Sequence, residues 1–385
     1  MINNKKRILF LIGNLESGGV SKSMVNLLNV IDRKKYDVSL WCGSPTGLFY
    51  PLLPNDINVI SNEKTSLLLE GVHGLRSLLK KGYIFLFLVS IVRLFLSKLD
   101  KGYAAWWLSR FIPSIKEEYD LIVDYNGQQQ LYYMVDKLNG KKKVTFFHSD
   151  YAKWPYYYQV DKRYFPKVDA IYTISDICMV SLKKYFPMQK EKIKLMENIS
   201  SVNLINKMAD EFKVDFKCDC SFLTLGHVCK NKGTDLAIEA MKVLKQNNIR
   251  FKWFFIGEVK EDFSSLITEY SLESYIEFLG VKVNPYPYIK ACDIFVHPSR
   301  YEGKSIALDE AKILCKPIIV TNFSTVYDQF INGKNALIAD FSPEDIATKI
   351  QRLLEDKVLR NSLVENLKGN ICNNSSEVNK LYSFL

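Results

Sequence analysis

Short apolar runs alternate with helical periodicity along the whole chain. Arg7–Ile12 reads as a strand, followed by a glycine turn and a helix from about Ser21 to Ile31. Asp37–Trp41, Asp120–Tyr125, Val144–Phe147 and Ala170–Ile174 are further strands. After about residue 196 the rhythm restarts. Strand Phe222–Leu225 leads to a helix over Gly233–Asn247, then come strands Phe251–Ile256, Ile276–Leu279 and Ile294–His297, a helix from about Ser305, and strand Pro317–Thr321. Two such series, each opened by a strand that ends in glycine, predict two doubly wound α/β domains in tandem. The polar stretch Glu197–Asn203 lacks periodicity and sets the boundary, giving domains 1–197 and 198–369. Ligands of open parallel sheets sit beyond the carboxyl ends of the strands, so a cleft between the two domains is the expected active site.

Composition removes several classes. The chain has 385 residues, 48% hydrophobic and 24% charged, which is a globular balance. Eight cysteines are scattered, and the one close pair, Cys218-Asp-Cys220, has neither zinc-knuckle nor CxxC spacing. The N-terminal apolar run Ile8–Ile12 is too short for a secretory h-region. No segment reaches the roughly 20 apolar residues of a spanning helix, and the nearest, Ile84–Val92, is closed off by Arg93 and Lys98. The expectation is a cytoplasmic protein, soluble or peripheral on the inner face of the membrane.

Charge is unevenly placed. The net charge is +10, and Gly71–Lys116, with eight basic residues and one acid, holds +7 of it. Ser90, Arg93, Ser97 and Lys101 recur at helical spacing as a polar stripe beside Leu, Ile, Val and Phe, with Trp106 and Trp107 after them. A basic, aromatic-rich helix of this kind suits an anionic membrane surface. A domain helix with a solvated edge is the alternative. Nucleic acid is not expected, because the aromatics cluster instead of alternating with the basic groups.

Three constellations carry chemistry. Gly13-Asn-Leu-Glu-Ser-Gly18-Gly19-Val-Ser21 follows the first strand and opens a helix, where backbone N–H groups can approach an anion or a sugar. It is neither a Walker A loop nor GxGxxG. Gly226-His227-Val-Cys-Lys230-Asn-Lys232-Gly233 places two lysines at a strand's carboxyl edge, where they would stabilise a diphosphate. The third is His297-Pro-Ser-Arg-Tyr-Glu302-Gly-Lys-Ser305-Ile-Ala-Leu-Asp-Glu310. Ser305 is a good N-cap residue, and the Lys304 and Ser305 amides are expected to point out of the helix start towards a phosphate. Glu302 and Glu310, separated by at most roughly 12 Å of helical rise, would bond hydroxyls at the two ends of one ligand.

This arrangement resembles the retaining glycosyltransferases of family 4, of GT-B fold, with their Glu–seven residues–Glu motif, and is most similar to the capsular and exopolysaccharide branch. The resemblance extends through Phe147-His148-Ser149-Asp150, Lys316-Pro317-Ile-Ile-Val-Thr321-Asn322 and Gly333-Lys-Asn335. It implies two Rossmann-like domains facing a central cleft, and a C-terminal segment, 370–385, that crosses back so that Glu377–Leu385 pack on the first domain. The first domain would bind the acceptor and the second a nucleotide diphosphate sugar, a UDP-sugar foremost.

The resemblance also implies residue roles. Glu310 would bond the ribose and Glu302 the transferred hexose. Gly303, Lys304 and Ser305 would give amides to the diphosphate and sugar, and Lys232, with Lys230, would neutralise the diphosphate. His148 would contact the sugar, Gly18 and Gly19 the phosphate and acceptor, and the backbone at Val281–Lys282 the base. His227 stands where the family usually has arginine, which removes a permanent charge from the diphosphate clamp. Neither metal nor other cofactor is expected. The implied reaction adds a hexose to a lipid-linked saccharide. Two alternatives are a non-catalytic GT-B subunit serving another transferase, which His227 would favour, and a sugar-phosphate synthase acting on soluble acceptors.

Overall fold

The computed structural model describes residues 5–16, 18–370 and 373–385. They divide into two compact units, Met1–Ile199 with Ser375–Leu385, and Ser200–Asn374. Each is built on one parallel sheet.

In the first unit the strands are β1 (Lys6–Asn14), β2 (Tyr36–Ser44), β3 (Asn58–Ile60), β4 (Glu118–Asp124), β5 (Asn139–Phe147), β6 (Ala170–Thr173) and β7 (Ile193–Leu195), in the order β3-β2-β1-β4-β5-β6-β7. Alternation along β1 shows why the sheet needs cover on both sides. Ile8, Phe10 and Ile12 enter one core with Met24, Leu27 and Leu28 of helix α1 (Gly19–Val30), while Leu9 and Leu11 enter another with Trp41, Leu131 and Tyr133. A parallel strand buried on both faces reads as a continuous apolar run, which is how β1 reads in the sequence.

The second unit has β8 (Ser221–Leu225), β9 (Lys252–Ile256), β10 (Ile276–Gly280), β11 (Ile294–His297), β12 (Ile318–Thr321) and β13 (Leu337–Ala339), in the order β10-β9-β8-β11-β12-β13. Its alternation is of the same kind: Phe222, Trp253 and Val296 face one core, Leu223, Phe254 and Phe295 the other. The one polar side-chain atom of the buried Trp253 is satisfied by Thr224 Oγ1 at 2.9 Å.

The chain end belongs to the first unit. Tyr382 stacks on Tyr36 at 4.4 Å and accepts from the Asp32 amide at 3.0 Å, Tyr172 donates to the Lys380 carbonyl at 3.0 Å, and Val378 and Leu381 are buried. Ser375–Leu385 therefore packs on the first unit, as the resemblance implied.

Two expectations need correction. Strands β3, β7 and β13 were not expected. All are three-residue edge strands, too short to leave a periodic signal. The polar stripe is the second. Its first three residues lie on helix α4 (Ile84–Leu99), which packs with α2 (Glu63–Leu69), α3 (Val72–Lys80) and α5 (Lys101–Ser109), and Lys101 opens α5. Ser90 is buried and the Arg93 guanidinium lies against Gly71, so the α4 part of the stripe turns inward, while Lys101 is exposed. The apolar face is the exposed one.

Candidate functional site

In the second sheet the strand order reverses between β8 and β11, and ligands of such sheets bind at the carboxyl ends of those strands. Both sequence loops singled out for the diphosphate and the sugar leave from these ends. Their approach requires Gly233. At φ 71° it is left-handed, and a Cβ there would fall 1.8 Å from the Pro298 carbonyl oxygen. Arg300 locks the two loops together through Asp235, with N–O distances of 2.6 and 2.9 Å, and through its amide to Asn231 O at 2.9 Å.

The result is a charged cluster. Lys232 Nζ is 2.6 Å from Glu302 Oε1, and His297 Nε2 is 2.8 Å from the same oxygen. Because an ionised carboxylate only accepts, the ring nitrogen is the donor. Burial pushes the Glu302 carboxyl up, but Lys232 and His297 outweigh it and hold the pKa at about 2. Thr325 Oγ1 fixes the Glu302 carbonyl at 3.0 Å. Buried Ser305 Oγ also reaches His297 Nε2, at 3.3 Å.

Ser305 is the N-cap of helix Ile306–Ile313, as expected, but its amide does not await an anion. Gln329 Oε1 accepts it at 3.0 Å, while Gln329 Nε2 donates to Ser305 O and Asp309 Oδ1, each at 3.0 Å. An amide side chain that reaches from after β12 takes the Ser305 amide because it buries there with its donor and acceptor both matched. Glu310 is fully buried on the same helix, and Oε1 accepts from Tyr286 OH at 3.1 Å. Burial and Glu310 together raise the Tyr286 pKa well above its ordinary value.

The other predicted residues of this unit sit as follows. His227 follows Gly226 at the end of β8. Burial first, then Lys260 and Lys232, lower its pKa, so it is neutral at pH 7 and leaves the permanent charge to the lysines. The Lys230 amide donates to Glu261 Oε1 at 3.3 Å. Gly303 is buried and Lys304 half-buried in the loop before Ser305. Lys282 follows β10 and places its ammonium 5.8 Å from the Tyr288 ring centre.

In the first unit, the sheet reverses between β1 and β4. A cavity of about 790 Å³ opens there, lined by Asn14, Gly18, Gly19, Glu70, His73 and Asn126 among others. Gly18 at φ 114° opens α1, and nothing lies within 4 Å of where its Cβ would be. Asp124, buried at the end of β4, shapes the opposite wall by accepting from the Asn126 and Gly127 amides at 3.0 Å each. Burial raises its pKa to about 7 despite those bonds and one from Thr145.

His148 comes just after β5, against Tyr125 at 4.5 Å and Phe146 at 5.5 Å. Burial lowers its pKa to about 4, so the ring is neutral at pH 7. Thus Lys232 and Glu302 are brought into contact, Ser305 and Glu310 share their helix, and Gly18, Gly19 and His148 belong to the other unit. Sequence reasoning did not assign roles to His297, Arg300, Gln329, Tyr286 or Asp124. His297 and Arg300 stood inside the quoted motif, and the other three act from positions with no local signal.

Among the described residues, no three His, Cys, Asp or Glu side chains are grouped so as to hold a metal ion, and no helix is long and apolar enough to cross a membrane. The seven described cysteines form no disulfide among the described residues, and Cys372 lies outside them.

Residues 211–369 match the family model described as glycosyl transferases group 1. That span lies within the second unit. Relatives that share parts of the chain include the N-acetylgalactosamine-N,N'-diacetylbacillosaminyl-diphospho-undecaprenol 4-alpha-N-acetylgalactosaminyltransferase of Campylobacter jejuni, 27% identical over 51% of this chain and 53% of that one. The capsular polysaccharide biosynthesis glycosyltransferase CapM of Staphylococcus aureus is 27% identical over 49% of this chain and 48% of its own. The chain spans about half the length of the curated relatives it matches. The crystal structure of Anabaena HepE in complex with UDP and glucose aligns with a TM-score of 0.70 at 16% identity, covering 98% of each chain. That likeness is one of fold. Each unit is a Rossmann-like parallel sheet, as in the GT-B fold.

Proposed function

We propose that the chain is a retaining family 4 glycosyltransferase. It moves a hexose from a nucleotide diphosphate sugar, a UDP-sugar, to a lipid-linked saccharide at the cytoplasmic membrane face, in capsular, exopolysaccharide or related glycan synthesis. The observation that carries this is the Lys232–Glu302 pair, joined by His297, at the switch point of the second sheet, within the span that matches the group 1 family model. Binding of the donor would exchange that pair for two new ones. The diphosphate takes Lys232, and the hexose hydroxyls take Glu302. The C1–oxygen bond to the diphosphate breaks, a bond from C1 to the acceptor oxygen forms on the same face, the acceptor hydroxyl's proton passes to the departing diphosphate oxygen, and Lys232 stabilises charge on the leaving group. Glu310 holds the ribose hydroxyls, the amides of Gly303 and Lys304 face the diphosphate, Lys230 adds charge that neutral His227 does not supply, and the backbone at Lys282 meets the base.

The acceptor is assigned to the first unit, to the cavity at Gly18 and Gly19, with neutral His148 orienting the transferring sugar. The relative that acts on a diphospho-undecaprenol saccharide supports that class of acceptor. No metal enters this scheme.

The deciding experiment is a thermal-shift panel of nucleoside diphosphates and their sugars, followed by transfer assays on lipid-linked acceptors. A ligand specific to the folded state raises the melting temperature by mass action. No shift with any nucleotide rejects the donor site. Neutral His227 favours one other reading, a non-catalytic subunit. Tight nucleotide binding without transfer to any acceptor would establish that reading instead.

A further inference from the structure

Helix α4 has sixteen residues, yet only Val89 and Ser90 are buried. Ile84, Phe85, Leu88, Ile91, Val92, Phe95 and Leu99 are exposed, from 40% at Val92 to 71% at Leu99. At 100° per residue they fall on one continuous arc of roughly 120°. Ser90, Arg93 and Ser97 occupy the opposite side. Trp107 of α5 donates to the Val89 carbonyl at 3.1 Å, and a small cluster of Leu68, Val89 and Leu108 seats the helix. The amphipathic order of a water-exposed helix is thus reversed. Scattered exposed leucines are ordinary, but seven large apolar residues on one helix face mark a binding surface.

Charge identifies what covers it. Lys98, on α4 itself, falls at the edge of this arc, and Arg76 and Lys80 are exposed on α3, which packs on α4; none of the three pairs with a carboxylate among the described residues. Gly71–Lys116 as a whole carries +7. An exposed apolar face on a basic segment matches an anionic lipid surface, whose acyl region takes the former and whose headgroups take the charges. Length fixes the mode. Sixteen residues extend about 24 Å, short of the roughly 30 Å hydrocarbon core, so α4 cannot span and must lie in the plane of the interface.

We propose that α4 is a membrane-inserting helix, with Phe85, Leu88, Ile91, Val92 and Phe95 seated at the acyl boundary of an anionic bilayer and the flanking basic residues on its headgroups. Attraction between charges brings the protein to the surface, and apolar burial holds it there. This deepens the reading of a lipid-linked acceptor, and its use in catalysis rests on that reading.

The test is co-sedimentation of the full chain with phosphatidylcholine vesicles containing 30% phosphatidylglycerol, at ~0.1 and ~0.5 M NaCl. Binding should persist at high salt, weakened by no more than about tenfold. Phe85→Ser/Leu88→Ser/Phe95→Ser should lower partitioning by roughly 100-fold, with the melting temperature unchanged. Lys80→Gln/Lys98→Gln should weaken binding at low salt only. Where the triple variant does not fold, Phe95→Trp replaces it, and its fluorescence should be quenched by bromine on the acyl chains and shielded from aqueous iodide. Vesicle binding by the triple variant equal to that of the native chain overturns the proposal, as does Phe95→Trp fluorescence that the bromine leaves unquenched. So does a concentration-dependent dimer that the triple variant dissolves while native vesicle binding is nil. The nucleotide thermal-shift panel needs no vesicles, so failure of the donor site reads out separately from failure of this surface.

Discussion

Lys232 and Glu302 stand seventy residues apart in the chain and 2.6 Å apart in space, on loops that leave neighbouring strands of one sheet. Glu302 stays ionised in the interior because Lys232 and His297 both serve one of its oxygens. A folded-state pKa of about 2, against roughly 4.3 in an unfolded chain, means that this group stabilises the fold above that ordinary value and that the contribution disappears as pH falls through the interval towards 2. Lys232→Met should raise the Glu302 pKa and lower kcat by about 10²–10³-fold. Acid titration of the variant, followed by circular dichroism, should show its loss of stability beginning at higher pH. Unchanged acid unfolding together with unchanged kcat would contradict both roles of the lysine.

Glu310→Ala should remove the stabilisation by a nucleoside diphosphate and abolish transfer. It also leaves buried Tyr286 OH without its carboxylate, at a cost of about 1–3 kcal/mol. The double variant Glu310→Ala/Tyr286→Phe should recover part of that stability and none of the nucleotide response. Melting curves with and without UDP separate the two effects.

A methyl group at position 233 has no room. Gly233→Ala should push the β8 loop away from Pro298, with a cost on the order of 1–3 kcal/mol for the left-handed backbone alone. The loop that carries Lys232 moves with it, so donor affinity should fall alongside the melting temperature. Gly18→Ala is the contrast. Its new methyl meets no atom within 4 Å, so only the backbone preference opposes it.

His148 titrates far below neutrality. With a folded pKa of about 4 and roughly 6.5 when unfolded, the unfolded chain takes up the proton first, so stability declines as pH drops from about 6.5 towards 4. The ring is neutral through the physiological range. Its carbon-bound proton resonances should show no inflection between about pH 5.5 and 8. An inflection near 6.5 would refute the neutral ring.

Deleting residues 375–385 should destabilise the first unit by several kcal/mol through loss of buried Val378 and Leu381 and of the Tyr382 contacts. The second unit should keep its own transition. Calorimetry of the truncated chain checks this, and two unshifted transitions would rule it out.

The central strands were legible because burial on both faces writes itself as an unbroken apolar run, as in Ile8–Ile12 and Ile294–His297. Edge strands such as Asn58–Ile60 are half-buried and short, so nothing in their composition separates them from loops. The loops at the ends of β8 and β11 were legible from glycine, lysine and glutamate at a strand's exit. Their partners were not. Gln329 captures the Ser305 amide from twenty-four residues away, and Tyr286 meets Glu310 across the same interval, distances at which composition carries no information about contact. Helix α4 failed for another reason. Periodicity locates a polar stripe, but which side faces the protein depends on what the remaining helices offer, and here Ser90 went inward.

The seat for Val378 and Leu381 has a consequence for synthesis. Residues 1–199 emerge from the ribosome first, yet their apolar seat stays open while residues 200–374 are still being added. At about 5–20 residues per second those 175 positions take roughly 10–35 s. Throughout that interval the first unit is a nascent domain with a gap in its side, exposed to chaperones and to its neighbours on the polysome, and it closes only after the second unit has been made.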